Sequence, residues 1–171
     1  MQMHQAVFNC TKGAWQDLPG GQEWNQKNVL MIAFCSPCVA RKPDVIEELS
    51  RKYPECTIVG CSTSGEIQGA AVMDNSICLT FVRFATSSFR LCQFPLEHPA
   101  QSKDVGVSIA KQLVNDELKG VLVFSEGLNA NGSEIVRGLN SVLTPAIPVG
   151  GGLAGDSTDF KSTFIISNGK I

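Results

Sequence analysis

Residues 57–67 read T-I-V-G-C-S-T-S-G-E-I, a short apolar run that breaks into a small, polar, glycine-bounded loop carrying one acid. Residues 148–157, P-V-G-G-G-L-A-G-D-S, do the same about ninety positions later, and laying Gly60 on Gly150 puts Gly65 on Gly155 and Glu66 on Asp156. Upstream, the apolar run 29–34 falls on 121–124 with two residues of drift over one connecting helix. The chain therefore reads as two copies of one unit: strand, helix, strand, glycine-bounded loop with an acid, strand. A repeat this long is no solenoid and points to a doubled half-domain. The fold class expected is mixed α/β in one domain, with halves at about 29–95 and 100–171 and an N-terminal edge strand with irregular turns over 1–28.

The totals agree with one domain. A chain of 171 residues that is 43% hydrophobic and 18% charged can bury a core. A net charge of −2 with scattered Lys and Arg gives no electrostatic basis for nucleic acid or an anionic membrane as partner. The strongest apolar run, 29–34, is far short of the ~20 residues of a membrane-spanning helix, and the opening M-Q-M-H-Q lacks the basic and apolar regions of an export signal. The expectation is a cytoplasmic protein with no membrane insertion. Seven cysteines is an odd number; Cys78 and Cys92 sit in strand-like runs and Cys10, Cys35 and Cys61 where strands end, as buried free thiols do.

Along the chain, residues 5–10 alternate weakly as an edge strand, and Pro19-Gly20-Gly21 breaks the segment holding Trp15 and Trp24 into short turns. Residues 29–35 form a buried strand. Pro43 opens a helix with Asp44 and Glu47 first, Arg51 and Lys52 last, and Val45, Ile46, Leu49 and Tyr53 inward. Residues 57–60 follow as a parallel strand. The spacing of 76–84 and 88–94 predicts a hairpin. In the second copy a helix over 100–118 buries Val105, Ile109 and Leu113, and 121–124 is a strand. Ser133 caps a helix lined by Ile135, Val136, Leu139, Val142 and Leu143, and 147–150 is the matching strand. Residues 156–160 read as a turn and 161–167 as a strand, followed by Asn168-Gly169, a strong hairpin signal with little chain after it. The expectation is that a natural continuation follows.

Both glycine-bounded loops end strands, where α/β sheets hold ligands. Gly65, Gly151, Gly152 and Gly155 let the backbone approach a ligand, consecutive amides can hold an anion, and Ser62, Thr63 and Ser64 add hydroxyls. Glu66 and Asp156 supply negative charge beside them, so the set suits a small zwitterion. The plainer reading is that the glycines make turns and the acids cap backbone amides. The candidate ligand-binding set is Cys61, Thr63, Ser64, Gly65, Glu66, Gly151, Gly152 and Asp156.

Other motifs fail on context. Gly150-x-Gly152-x-x-Gly155 has the letters of a dinucleotide fingerprint but no helix pattern after it. Ser62 lacks the second glycine of a hydrolase elbow, since Ser64 stands there. Cys61 as a nucleophile needs a base, and the chain has only His4 and His98. Cys35-Ser36-Pro37-Cys38 has redox or half-zinc spacing without a second half. No catalytic residue, metal or cofactor is expected.

Three stretches, I-V-G-C-S-T-S-G-E-I at 58–67, V-L-V-F-S-E-G at 121–127 and V-G-G-G-L-A-G-D at 149–156, together resemble the N-terminal part of the FIST domain, the sensory domain of F-box and intracellular signal transduction proteins. The resemblance covers about 29–171 and implies a non-enzymatic input module that binds small ligands such as amino acids. As partners it implies a C-terminal half and attached signalling output domains. The opening segment departs from it, broken by Pro19-Gly20-Gly21 where a more continuous helix is expected. A cysteine-dependent hydrolase or transferase using Cys61, and an interaction scaffold, stay open as alternatives.

Overall fold

The structure, a computed structural model, describes residues 1–41, 43–157 and 160–171. The chain forms two units, Met1–Phe89 with Gly155–Ile171, and Arg90–Ala154. The first carries β1 (Gln2–Asn9), β2 (Ala14–Gln16), β3 (Val29–Cys35), α1 (Asp44–Lys52), β4 (Thr57–Ser62), β5 (Glu66–Gln68), β6 (Ala71–Met73) and β7 (Ser76–Arg83). The second carries α2 (Ser102–Leu113), β8 (Val121–Ser125), α3 (Gly132–Asn140) and β9 (Val149–Leu153), and β10 (Ile165–Ser167) returns to the first. The mixed α/β class is as the sequence predicts.

The first unit is a six-stranded sheet in the order β10-β4-β3-β7-β1-β2. Among the described residues of this sheet only β3 and β4 are parallel, joined through α1, whose Val45, Ile46 and Leu49 pack on a core with Met31, Ala33, Ile58, Leu79 and Phe81. Alternate residues of β3, from Val29 to Cys35, are buried, as a strand covered on one face requires. Tyr53, just past α1, is buried and its hydroxyl donates to the Pro19 carbonyl, so the Pro-Gly-Gly segment is tied to the helix end.

Several expectations change here. Residues 84–98 form neither helix nor strand, so the 88–94 arm of the predicted hairpin does not exist. Both edges of β7 are taken, by β1 along Gln2–Asn9 and by β3 along Val29–Cys35, so a hairpin partner has no edge to join. For the same reason β1 is an interior strand, and β2 takes the edge. The short hairpin of β5 and β6 was not foreseen; Glu66 opens β5 instead of lying in the loop. At the other end, β10 is shorter than 161–167, and the turn expected at 156–160 includes Thr158 and Asp159, which lie outside the described residues. The Asn168-Gly169 turn forms as read: both residues have positive φ (49° and 75°), and Ser167 and Lys170 exchange backbone hydrogen bonds across it.

In the second unit β8 and β9 are parallel and α3 joins them. Helix α3 is capped by the Asn131 side chain, which accepts from the Glu134 amide at 3.2 Å, two positions before the serine expected. Ile135, Gly138 and Leu139 face inward, whereas Val136 is exposed. The buried face of α2 is Ser102, Gly106 and Ala110, one step from the predicted Val105, Ile109 and Leu113. The cause is backbone contact between helices. A methyl on Gly106 would stand 2.3 Å from the Ile135 carbonyl oxygen, and one on Gly138 2.1 Å from that of Lys103, so this crossing takes only small residues.

The glycine runs also differ from expectation. β4 continues through Ser62 and β9 through Leu153, so Gly60 and Gly150 to Gly152 are strand residues. Register explains them. Gly60 pairs with Ala33 and a methyl on it would stand 1.9 Å from the Ala33 carbonyl oxygen; Gly151 pairs with Val123 and meets that carbonyl oxygen at the same 1.9 Å. The next backbone bonds repeat too, Thr63 N–H to Cys35 O at 2.9 Å and Ala154 N–H to Ser125 O at 2.8 Å. The strand–helix–strand part of the repeat is therefore present in both units, but Gly60 corresponds to Gly151 and not to Gly150. Carried on at that spacing, Asp156 falls on Gly65 and the two acids are not counterparts.

Candidate functional site

The chain ends of β3 and β4 and the starts of β5 and β7 meet on one buried carboxylate. Glu66 is 1% exposed. Its Oε2 accepts the hydroxyls of Ser36 (2.7 Å) and Ser76 (2.6 Å), and its Oε1 that of Thr63 (2.7 Å). Ser36 follows β3 directly, Thr63 follows β4, and Ser76 opens β7, so three strand ends are tied through one side chain. The network closes on itself, because the Ser76 amide donates to the Ser36 hydroxyl at 3.2 Å. Burying a carboxylate is costly unless hydrogen bonds replace its water, and three hydroxyl donors do that.

The second loop is fastened to the first through Ser62. That residue is fully buried; its amide donates to the Phe164 carbonyl (3.0 Å), its hydroxyl accepts from the Phe164 amide (3.1 Å), and its carbonyl accepts from the Gly155 amide (2.8 Å). Gly155 lies so close to the first loop that a methyl on it would stand 2.6 Å from the Ser64 hydroxyl oxygen. Asp156 turns away into its own loop, where Oδ2 accepts the amides of Ser162 (2.8 Å) and Lys161 (2.5 Å). Those two backbone donors hold its carboxyl below the usual range.

The predicted residues thus divide. Thr63, Ser64 and Gly65 form the partly exposed rim of the first loop, and Gly155 abuts it. Asp156 caps two backbone amides, as the plainer reading has it, whereas the oxygens of Glu66 are engaged by the hydroxyls of Ser36, Thr63 and Ser76. Cys61 is buried in β4, and burial pushes its thiol up to about 11, so it is a neutral thiol at pH 7. Gly151 and Gly152 belong to the second unit, in the exposed strand β9. His4 Nε2 lies 2.5 Å from the Asp17 carbonyl oxygen, with its ring against Trp24 and Phe81. Among the described residues no cluster of three or more His, Cys, Asp or Glu is placed to hold a metal, and no helix is long and apolar enough to cross a membrane.

The family model of the FIST N domain matches residues 29–171, a span that includes every residue of the Glu66 network. The chain belongs to the FIST N domain family. No curated protein and no solved structure matches it significantly.

FIST domains are a sensory-type family. In this FIST N domain the match begins at β3, while β1 and β2 lie before it and still complete the same sheet. The residues that sequence reasoning missed are Ser36 and Ser76. Ser36 was hidden inside the Cys-x-x-Cys spacing, and Ser76 passed as the first residue of an apolar strand. The one available signal was that each is a small polar residue beside a run of apolar residues, close to the buried Glu66 only after folding.

Proposed function

We propose that this FIST N domain is a non-enzymatic sensory module that binds a small polar metabolite, an amino acid or a compound of similar size and charge, at the rim formed by Thr63, Ser64, Gly65 and Gly155. The observation that carries the reading is the fastening of two polar loops by the Gly155–Ser62 hydrogen bond at 2.8 Å, beside the exposed Ser64 hydroxyl. A hydroxyl held beside a strand end, as that of Ser64 is, can donate to a carboxylate without needing a charged side chain. Glu66, Cys61 and Asp156 act from beneath: the first clamps Thr63, the second packs β4, the third shapes the facing loop. The neutral Cys61 thiol speaks against the cysteine-dependent hydrolase or transferase. In this reading, ligand on the rim shifts the population of loop conformations, and a C-terminal partner half and attached output domains respond to the shift in a cytoplasmic signalling protein.

Thermal unfolding against a panel of amino acids tests it. A true ligand at a hundred times its Kd stabilises by about 2.7 kcal/mol, and Ser64→Ala reduces the shift. The reading fails if no panel compound raises the midpoint and native mass spectrometry finds no metabolite retained by the protein.

A further inference from the structure

The Cys35-Ser36-Pro37-Cys38 motif is left unused by the ligand reading. It lies where β3 ends and the chain bends into a 3-10 turn over Pro37–Arg41, inside the parallel β3-α1-β4 unit. A strand, Cys-x-x-Cys and helix in a β-α-β unit is the setting in which this spacing serves dithiol chemistry. The Val39 amide donates to the Ser36 carbonyl at 3.0 Å, closing a turn over 36–39 directly after the strand. Cys38 is partly exposed and Cys35 is fully buried, so one thiol can be reached and the other is sheltered behind it. Cys38 packs against the same core cluster that holds Cys35. The residues between and beside them are wired to the loop: Ser36 Oγ donates to Glu66 Oε2 at 2.7 Å, and the Thr63 amide donates to the Cys35 carbonyl at 2.9 Å.

We propose that Cys35 and Cys38 are a reversible dithiol–disulfide pair, oxidised by a low-molecular-weight disulfide such as glutathione disulfide, and that closing the bond draws Ser36 off Glu66 and loosens residues 62–66. The Cys38 thiolate attacks one sulfur of the external disulfide. Its S–S bond breaks and one thiolate leaves with the electron pair. The Cys35 sulfur then attacks the Cys38 sulfur of the mixed disulfide, its proton passing to the second departing thiolate. Two protein thiols are oxidised to one disulfide and the external disulfide is reduced to two thiols. The disulfide itself stands apart from the ligand reading; only the significance of loosening that loop rests on it.

The chain is equilibrated in glutathione buffers from fully reduced to fully oxidised, alkylated, and digested with trypsin. Cleavage after Lys27 and Arg41 leaves both cysteines in one peptide, so the bond registers as a peptide lighter by two hydrogens and carrying no alkyl group. Wild type and Cys10→Ser are expected to give that peptide, and Cys38→Ser and Cys38→Ala to give none. Amide exchange at 62–66 is expected to be roughly tenfold faster in the oxidised protein, the loss of one charge-assisted hydrogen bond. A mixed disulfide that stops at Cys38, a bond from Cys35 to Cys10, or unmodified thiols in the fully oxidised buffer overturns the pairing. Equal amide exchange in the two forms overturns the coupling. A panel without ligands leaves both readouts intact, so the two readings fail separately.

Discussion

Replacing Glu66 by alanine removes the acceptor shared by Ser36, Thr63 and Ser76. Hydrogen bonds to a charged group are each worth ~1.5–3 kcal/mol net, and a donor left unsatisfied in the interior costs ~1–3 kcal/mol. The three terms do not add fully. Ser36 and Ser76 already touch through the Ser76 amide and can turn toward each other, and Thr63 is near the surface and can find water. The expected loss is about 4 kcal/mol, a third or more of what holds an average domain together. Glu66→Gln keeps one acceptor oxygen and the same volume, so about 1.5 kcal/mol is expected. The sharper comparison is Glu66→Leu with Ser36→Ala, Thr63→Val and Ser76→Ala, which removes donors and acceptor together. Such an exchange is close to neutral when shape is kept, so the fourfold variant should be more stable than Glu66→Leu alone by about 2 kcal/mol. Urea unfolding followed by circular dichroism measures the wild type and all four variants. A cost below about 1 kcal/mol for Glu66→Ala, or a fourfold variant no better than Glu66→Leu, would mean that the carboxylate is not the tie between these strand ends.

Two further outcomes follow from the geometry. Gly60→Ala and Gly151→Ala drive a methyl onto a paired strand's carbonyl and should each cost about 3 kcal/mol or more, whereas Gly150→Ala and Gly152→Ala, with nothing within 4 Å, should cost less than about 1 kcal/mol; equal costs at 150 and 151 in urea melts would refute the register. Asp156 has a folded pKa below its unfolded value of about 3.9, so its contribution is present above that pH and disappears as pH falls through the lower folded value. Asp156→Asn should therefore flatten the acid limb of a stability–pH curve below about pH 4, and an unchanged limb would show that the loop amides do not hold the charged form.

The sequence by itself determined the elements whose signals are local. Pro43 and the charge order of α1, the continuous apolar run of β3, and Asn168-Gly169 each specify conformation through near neighbours, and each forms as read. The family was equally legible, since three motifs in order carry it. Tertiary structure decided what depends on partners far along the chain. Whether 88–94 pairs depends on the free edges of β7, which β1 and β3 take. Which face of α2 is buried depends on how closely α3 approaches, and Gly138 sets that. The repeat was visible in letters, but its register was not, because both Gly150 and Gly151 align by identity while only Gly151 sits over a carbonyl that excludes a side chain. Glu66 is the clearest case: its acidity was plain from the chain, but its three hydroxyl partners lie 3, 10 and 30 residues away and meet it only where strand ends converge. A hydrogen bond needs atoms within about 3 Å, and separation in sequence says nothing of that until the sheet has ordered its strands.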